Sequence, residues 1–320
     1  MNSPTPFHQS VLVDTVVKYA LPPGGEIFVD GTFGLGGHTR AVLNAFPTIK
    51  KVIGIDRDAE ILEHSTTGLE DPRIVRFQAH ASDLPEILAR TGISAADGIL
   101  LDLGVSSWQL DNPTRGFSFS RPGPLDMRMN SEDPQTAADL VNHLDRDELT
   151  RIFFQYGEEK FSRRIADAII RERAIAPFTS TDQLAKIVSE AVPGASRHQS
   201  HIHPATRVFQ ALRIAVNHEL EEIERFLQIA LACLKPDGHL TLIAFHSLED
   251  RLIKNFMQKH QKGCDCPPRF PVCVCGKKPQ LQILTSKAIF ADDAEIAQNP
   301  RARSARLRSA RKLPTGDPTL

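Results

Sequence analysis

The sequence lacks an excess of charge of either sign: 38 Lys and Arg stand against 39 Asp and Glu, a formal net charge of −1. Any affinity for a polyanion must therefore reside in local clusters. It lacks a run of about 18 uncharged apolar residues, so no membrane span is expected. The opening residues, MNSPTPFHQS, show neither a basic n-region nor an apolar h-region, so no secretory signal is expected either. Five Cys are too few and too unevenly placed for a disulfide framework, since four of them fall within residues 264–275. A cytoplasmic location is the default. Internal repeats and low-complexity tracts are missing as well. With 41% apolar and 24% charged residues over 320 positions, the chain is ordinary for one large domain or two smaller ones, and disorder is excluded.

The first part alternates strand and helix signals. Residues 26–32 (EIFVDGT), 51–56 (KVIGID), 74–80 and 96–103 (ADGILLDL) read as short buried strands, with helices over 39–46 and 59–66 between them. Apolar runs separated by helices indicate a parallel sheet covered on both faces. From about 115 to 204 there are helical stretches and no convincing strand: 137–142, 146–155, 161–174 and 181–191, with Ser131, Ser180 and Thr181 where N-caps are expected. Residues 205–234 then predict one long amphipathic helix with Leu212, Val216, Leu220, Ile223 and Leu227 in a single stripe against the sheet. A turn at 235–238 (KPDG) leads to a fifth strand at 239–245, and 280–285 offers another. The expected architecture is an α/β core in two parts, 1–114 and 205–320, interrupted by a helical domain at 115–204. Residues 299–312 hold six basic residues and no acidic one, which predicts either a phosphate-contacting segment or a solvated surface.

The richest motif is residues 30–38, DGTFGLGGH, a strand running through a glycine-rich turn into a helix. Its free N–H groups can bind polar atoms, and glycines let backbone approach a ligand; tight strand–helix turns also use Gly for packing alone. Asp30, Asp56 and Asp102 each end a predicted strand and would gather at one rim, where ligands of open parallel sheets bind. The layout suits NAD or S-adenosylmethionine. The dinucleotide pattern needs a third Gly that is missing after Gly34 and Gly36. Adenosylmethionine has an amino-acid end to suit Asp30 and the turn, and a ribose to suit Asp56.

DGTFGLGGH at 30–38, DGILLDLGVSSWQLD at 97–111, RGFSF at 115–119, GPLDMRM at 123–129, HPATRVFQALRIAVN at 203–217, FHSLEDR at 245–251 and NPRARSARLR at 299–308 together resemble the RsmH (MraW) family of bacterial small-subunit rRNA (cytosine-N4) methyltransferases. The resemblance spans nearly the whole chain in order. It implies methyl transfer from adenosylmethionine to the exocyclic amine of one cytosine in the 16S rRNA decoding centre, with the small ribosomal subunit as partner. It implies a Rossmann-like class I methyltransferase core, mostly parallel with helices on both faces, and an inserted all-helical domain. The family's cofactor contacts map onto Gly36, Gly37, His38, Asp56, Asp102 and Gln109. A further contact, usually aromatic, maps onto Ala81, where this sequence departs; Phe77 or His80 would then serve.

An aromatic amine is a poor nucleophile because its lone pair is delocalised, so the site must align it with the methyl donor and place acceptors on its N–H bonds. Asp102 and the backbone of residues 104–107 are the candidates. His246 would take the released proton, bind RNA or simply bond to backbone. No covalent intermediate is needed, which argues against a catalytic Cys. An unstacked cytosine needs a platform. Trp108, Phe117 and Phe119 are candidates, or ordinary packing; Arg115, Arg121, Arg128, Arg207 and Arg213 are candidate phosphate contacts, or solvated surface. Cys264, Cys266, Cys273 and Cys275 form a C-x-C…C-x-C pattern that suggests a structural zinc, although C-x-x-C is the more usual spacing. His198, His201 and His203 form a weaker ligand pattern. The rival readings are a nicotinamide-dependent oxidoreductase and a non-catalytic RNA-binding assembly protein. The sequence leaves monomer or homodimer open.

Overall fold

The computed structural model describes residues 10–66, 69–194, 203–264, 266–267, 270, 272 and 274–314. Two compact units emerge, one formed by residues 1–104 and 220–320, the other by residues 105–219.

The first unit is built on eight strands: β1 (Ile27–Asp30), β2 (Lys51–Asp56), β3 (Ile74–Gln78), β4 (Ala96–Asp102), β5 (Leu234–Ala244), β6 (Leu281–Ile283), β7 (Ile289–Phe290) and β8 (Arg306–Lys312). Their order is β3-β2-β1-β4-β5-β8-β6, with β7 also on β8. The five strands β1–β5 pair in parallel. The pairs of β8 with β5, β6 and β7 are antiparallel. Side chains of successive residues point to opposite faces of a sheet, and the apolar runs divide accordingly. Val29, Ile53, Ile99, Leu101 and Leu242 join one buried cluster. Phe28, Val52, Leu100 and Ile243 join another. Helices α1 (Val13–Tyr19), α2 (Gly37–Ala45) and α3 (Ala59–Thr66) cover the second face. Helix α4 (Leu84–Thr91) covers the first. The mostly parallel α/β sheet with helices on both faces is as expected.

The second unit is helical: α5 (Ser107–Asp111), α6 (Ala137–His143), α7 (Arg146–Gln155), α8 (Ser162–Arg173), α9 (Thr181–Ala191) and α10 (Ala205–Asn217). Its own core includes Leu149, Phe153, Ile165, Ile169, Leu184 and Val188. Ser180 caps α9 as expected, but α6 is capped by Thr136 rather than Ser131.

The single long helix expected at 205–234 is two helices. His218 sits in the left-handed region (φ 48°) and ends α10, and α11 (Glu219–Ala230) begins directly after it. The stripe therefore splits: Leu212 and Val216 pack in the helical core, Ile223 and Leu227 against the sheet. The boundary of the helical unit consequently lies beyond α10.

The basic segment is also corrected. Residues 300–304 form a short 3-10 turn, and β8 runs between β5 and β6. Leu307, Ser309 and Ala310 are buried; Arg308 makes a paired contact with Asp250, and Lys312 Nζ donates to the carbonyls of Leu231 and Leu234. Arg311 donates to the Gln282 side chain on β6. Four of the six cations thus lie on β8, with Arg308, Arg311 and Lys312 held by protein groups, and they are not a free phosphate-contacting tail. Among the described residues no helix is long and apolar enough to cross a membrane.

Candidate cofactor site and charged cleft

The parallel strands deliver Asp30, Asp56 and Asp102 to their carboxyl ends, on neighbouring strands β1, β2 and β4. The glycine-rich turn between β1 and α2 is tied down from β2, because the Gly34 N–H donates to Asp56 Oδ2 at 2.8 Å. The other Asp56 oxygen accepts from the Asp58 N–H. Burial nevertheless raises the Asp56 pKa, against the pull of those two N–H groups. Gly36 has φ 75°, and a methyl group there would meet Leu69 and Phe33; one at Gly37 would lie 2.2 Å from Ser10 Oγ. These two glycines are thus required by packing within the chain, the structural use that the sequence had left open.

Beside the turn, three titratable groups meet, Asp30 and His38 buried and Asp102 partly buried. His38, in the first turn of α2, places Nε2 3.3 Å from Asp102 Oδ2. Asp30 Oδ2 accepts from the Thr39 hydroxyl at 2.8 Å. Asp30 Oδ1, Asp102 Oδ1 and His38 Nδ1 are all buried with no hydrogen-bond partner. Burial lifts the Asp30 pKa to about 6, even though His38 and Thr39 favour its ionised form. For His38, burial lowers the pKa, but the hydrogen bond to Asp102 and the charges of Asp102 and Asp30 outweigh it and hold the imidazole above its usual range. Buried polar atoms left unsatisfied are costly, so three of them around one turn mark the place of a polar ligand. The spare oxygens are acceptors for a cation, and a protonated His38 is a donor for a carboxylate. That donor set fits the ammonium and carboxylate of an amino-acid end. It would repel the pyrophosphate of a dinucleotide.

Ala81 opens the 3-10 turn after β3 and is buried. Phe77 is packed among the sheet side chains with the Arg90 guanidinium 5.3 Å from its ring centroid. His80 is more open, and its Nδ1 lies 3.7 Å from Glu222 Oε2. His246 is the N-cap of α12 (Ser247–Lys262): its side chain accepts from the Glu249 N–H and the Glu249 carboxylate accepts from the His246 N–H. The cap uses Nδ1 and gives the backbone-bonding contact, while the buried Nε2 lies 3.2 Å from Glu249 Oε1 and makes no hydrogen bond among the described residues.

In the helical unit, Gln109 is buried and closes a capping box with Ser106 on α5. Several expected RNA contacts are spent on the unit itself. Arg115 is buried and donates to the carbonyls of Arg128 and Met129. Arg128 pairs with Asp126, and Arg213 pairs with Glu219 through both nitrogens. Phe117 belongs to the core, and Phe119 packs on His203 and Phe209. His203 Nδ1 accepts from the Ala205 N–H. Trp108 is half-buried, Arg121 is exposed, and Arg207 is exposed with one bond to the Glu158 carbonyl. His198 and His201 lie outside the described residues.

A surface cleft of about 710 Å³ lies instead between α7 and the start of α8, lined by Arg151, Phe154, Lys160, Arg163 and Arg164 with Asp147. Phe154 is 65% exposed. Asp147 already faces Arg146. The first turn of α8 has no acidic residue and no side-chain cap, although helix N-termini favour negative charge. The signal was present in the sequence as F-x-x-x-x-x-K-x-x-R-R, but it spans a helix end and a link, so no single-helix pattern exposed it.

The profile of the MraW methylase family matches residues 5–313. The chain is 50% identical over 308 residues to the ribosomal RNA small subunit methyltransferase H of Syntrophotalea carbinolica, covering 96% of this chain and 98% of that one. It is 46% identical over 308 residues to the protein of the same name from Carboxydothermus hydrogenoformans, with the same coverage. Among solved structures, an rRNA methylase from Streptococcus thermophilus aligns over 94% of both chains with 10% identity and a TM-score of 0.39.

Proposed function

Because the chain belongs to the MraW methylase family, we propose that it methylates the exocyclic N4 amine of one cytosine in the decoding centre of 16S rRNA, within the small ribosomal subunit in the cytoplasm. Membership makes it an S-adenosylmethionine-dependent rRNA methyltransferase. The base, the atom and the position on the rRNA are the proposal.

The observation that carries the cofactor side is the set of spare buried atoms on Asp30, Asp102 and His38. Asp30 and Asp102 would hold the ammonium and His38 the carboxylate. Asp56 has lone pairs left for ribose hydroxyls, since a carboxylate offers about four acceptor sites. Gly36 and Gly37 shape the turn, Ala81 with His80 borders the base, and Gln109 remains the family-implied contact from α5. When bound, the cofactor supplies an electrophilic methyl on a sulfonium. The chain's own task is alignment of the amine and acceptance of hydrogen bonds from its N–H groups, with no covalent intermediate.

On the RNA side, the cleft of Arg151, Lys160, Arg163 and Arg164 supplies phosphate contacts, and exposed Phe154 offers a stacking face. Trp108 and Arg207 remain further candidates. Arg115, Phe117 and Arg213 support the unit from within.

The test is transfer of labelled methyl from adenosylmethionine to small subunits that lack the modification, followed by mass spectrometry of the RNA. One new N4-methylcytidine at one decoding-centre site is expected. Methylation of naked RNA alone would change the substrate state; neither binding nor transfer would overturn the reading. Asp102→Asn is expected to raise the KM for the cofactor by about tenfold or more, the worth of one charge-assisted hydrogen bond. If turnover at saturating cofactor collapses instead, Asp102 is the acceptor for the cytosine amine.

A further inference from the structure

The link from α12 to β6, residues 263–280, has no regular secondary structure among its described residues. Loops of this length inside a compact unit are uncommon without a specific reason. Burial does not hold this one together: Phe270, Val272 and Val274 are 54%, 70% and 73% exposed. Its ends are pinned, because the Gln280 N–H donates to the His260 carbonyl and the two side chains meet at 2.7 Å. Within it, the sulfur atoms of Cys264, Cys266 and Cys275 all lie within 4.8 Å of one another.

Two backbone amides are aimed at these sulfurs. The Cys266 N–H donates to Cys264 Sγ at 3.4 Å, and the Val274 N–H donates to Cys266 Sγ at 3.3 Å. Amide donors stabilise thiolate over thiol, and such outer contacts orient the ligands of a metal. The Sγ atoms of Cys264 and Cys275 are 3.8 Å apart, well beyond a covalent S–S bond of about 2.05 Å. Among its described residues the loop shows no hydrophobic cluster, and three converging thiols with amide donors stand where one would be needed.

We infer that Cys264, Cys266 and Cys275 bind one structural zinc ion that staples this loop. Soft thiolates in a compact set select zinc over the hard cations, and all-thiolate donor sets are those of structural zinc. Each thiol that becomes a ligand releases a proton on binding. The sequence supplies a fourth thiol, Cys273, which lies outside the described residues; the inference rests on the other three.

The test uses the full chain, purified without affinity metals or chelators. Elemental analysis is expected to find about one zinc per chain, and a thiol-specific mercurial is expected to release it to a colorimetric indicator. Cys264→Ser and Cys275→Ser should each lower the zinc content by about tenfold or more. Tryptic cleavage after Lys277 should speed up by about tenfold or more when zinc is removed from wild type, a readout that does not depend on a variant folding. Wild type with well under one zinc per chain, with iron in its place, or with a Cys264–Cys275 disulfide in the reduced preparation would overturn the assignment.

Discussion

Asp30 sits in an environment that its residue type disfavours. Its carboxyl is buried beside a second carboxylate, and its pKa rises to about 6 from 3.8. A group with a raised folded pKa holds its proton more tightly in the native state, so its stabilising contribution is full below pH 3.8 and is lost as the pH rises to 6. Two pKa units correspond to about 3 kcal/mol. Asp30→Asn should therefore gain on wild type by about 3 kcal/mol between about pH 4 and pH 7 in the cofactor-free protein, measured by urea unfolding. Parallel pH curves for the two proteins would refute this. The same ionisation favours a cationic ligand, so cofactor affinity should rise over that interval and the rise should vanish in Asp30→Asn. The capping geometry of His246 yields a different expectation. Asn is among the best N-cap residues, so His246→Asn should keep stability and turnover, while His246→Ala should cost about 1 kcal/mol in denaturant unfolding. A turnover loss in His246→Asn with stability intact would restore the proton-acceptor role. The acidic rim was legible because each Asp closes an apolar run. The capping contact of His246 was not, because FHSLED is equally a rim loop and a capping box.

At the scale of elements, the sequence showed periodicity but not partners. Leu212 and Ile223 keep helical phase with one another, yet they serve different cores, because His218 turns the chain between them. His carries no breaker signal of the kind Gly or Pro would give. Strand β8 was hidden for another reason. Four of its seven residues are arginine or lysine, whose long stems cover the sheet while the heads of Arg308 and Lys312 find a carboxylate and carbonyls. Counting charge thus read as surface a strand that the sheet requires. Arg308 and Asp250 are only 14% and 18% exposed and meet through two nitrogen–oxygen contacts. Arg308→Met should therefore cost about 2–4 kcal/mol in urea unfolding, chiefly by leaving Asp250 buried and unpaired. Arg308→Met with Asp250→Leu should recover most of that loss. A cost below about 0.5 kcal/mol would return β8 to the class of surface segments.

For the whole molecule, the division into two units separates two chemistries. The sheet unit carries the acidic rim suited to a cationic cofactor; the helical unit carries the cluster of cations suited to RNA phosphate. The signs are separated by local cluster and not by unit, since residues 105–219 hold 14 Lys and Arg against 15 Asp and Glu and the remaining residues hold 24 against 24. This separation has a quantitative consequence. Replacing Arg163 and Arg164 together with Glu should raise the KM for the RNA substrate by about tenfold or more, while the Kd for the cofactor stays within about twofold. The slope of log affinity against log salt should also flatten by about 1.5, since each phosphate that a cation neutralises steepens it by roughly 0.7–0.9. Salt dependence is the decisive readout, because a general loss of folding would lower affinity without that change in slope. An unchanged RNA KM and an unchanged slope would clear this cleft of any part in recognition and shift the search to Trp108 and Arg207.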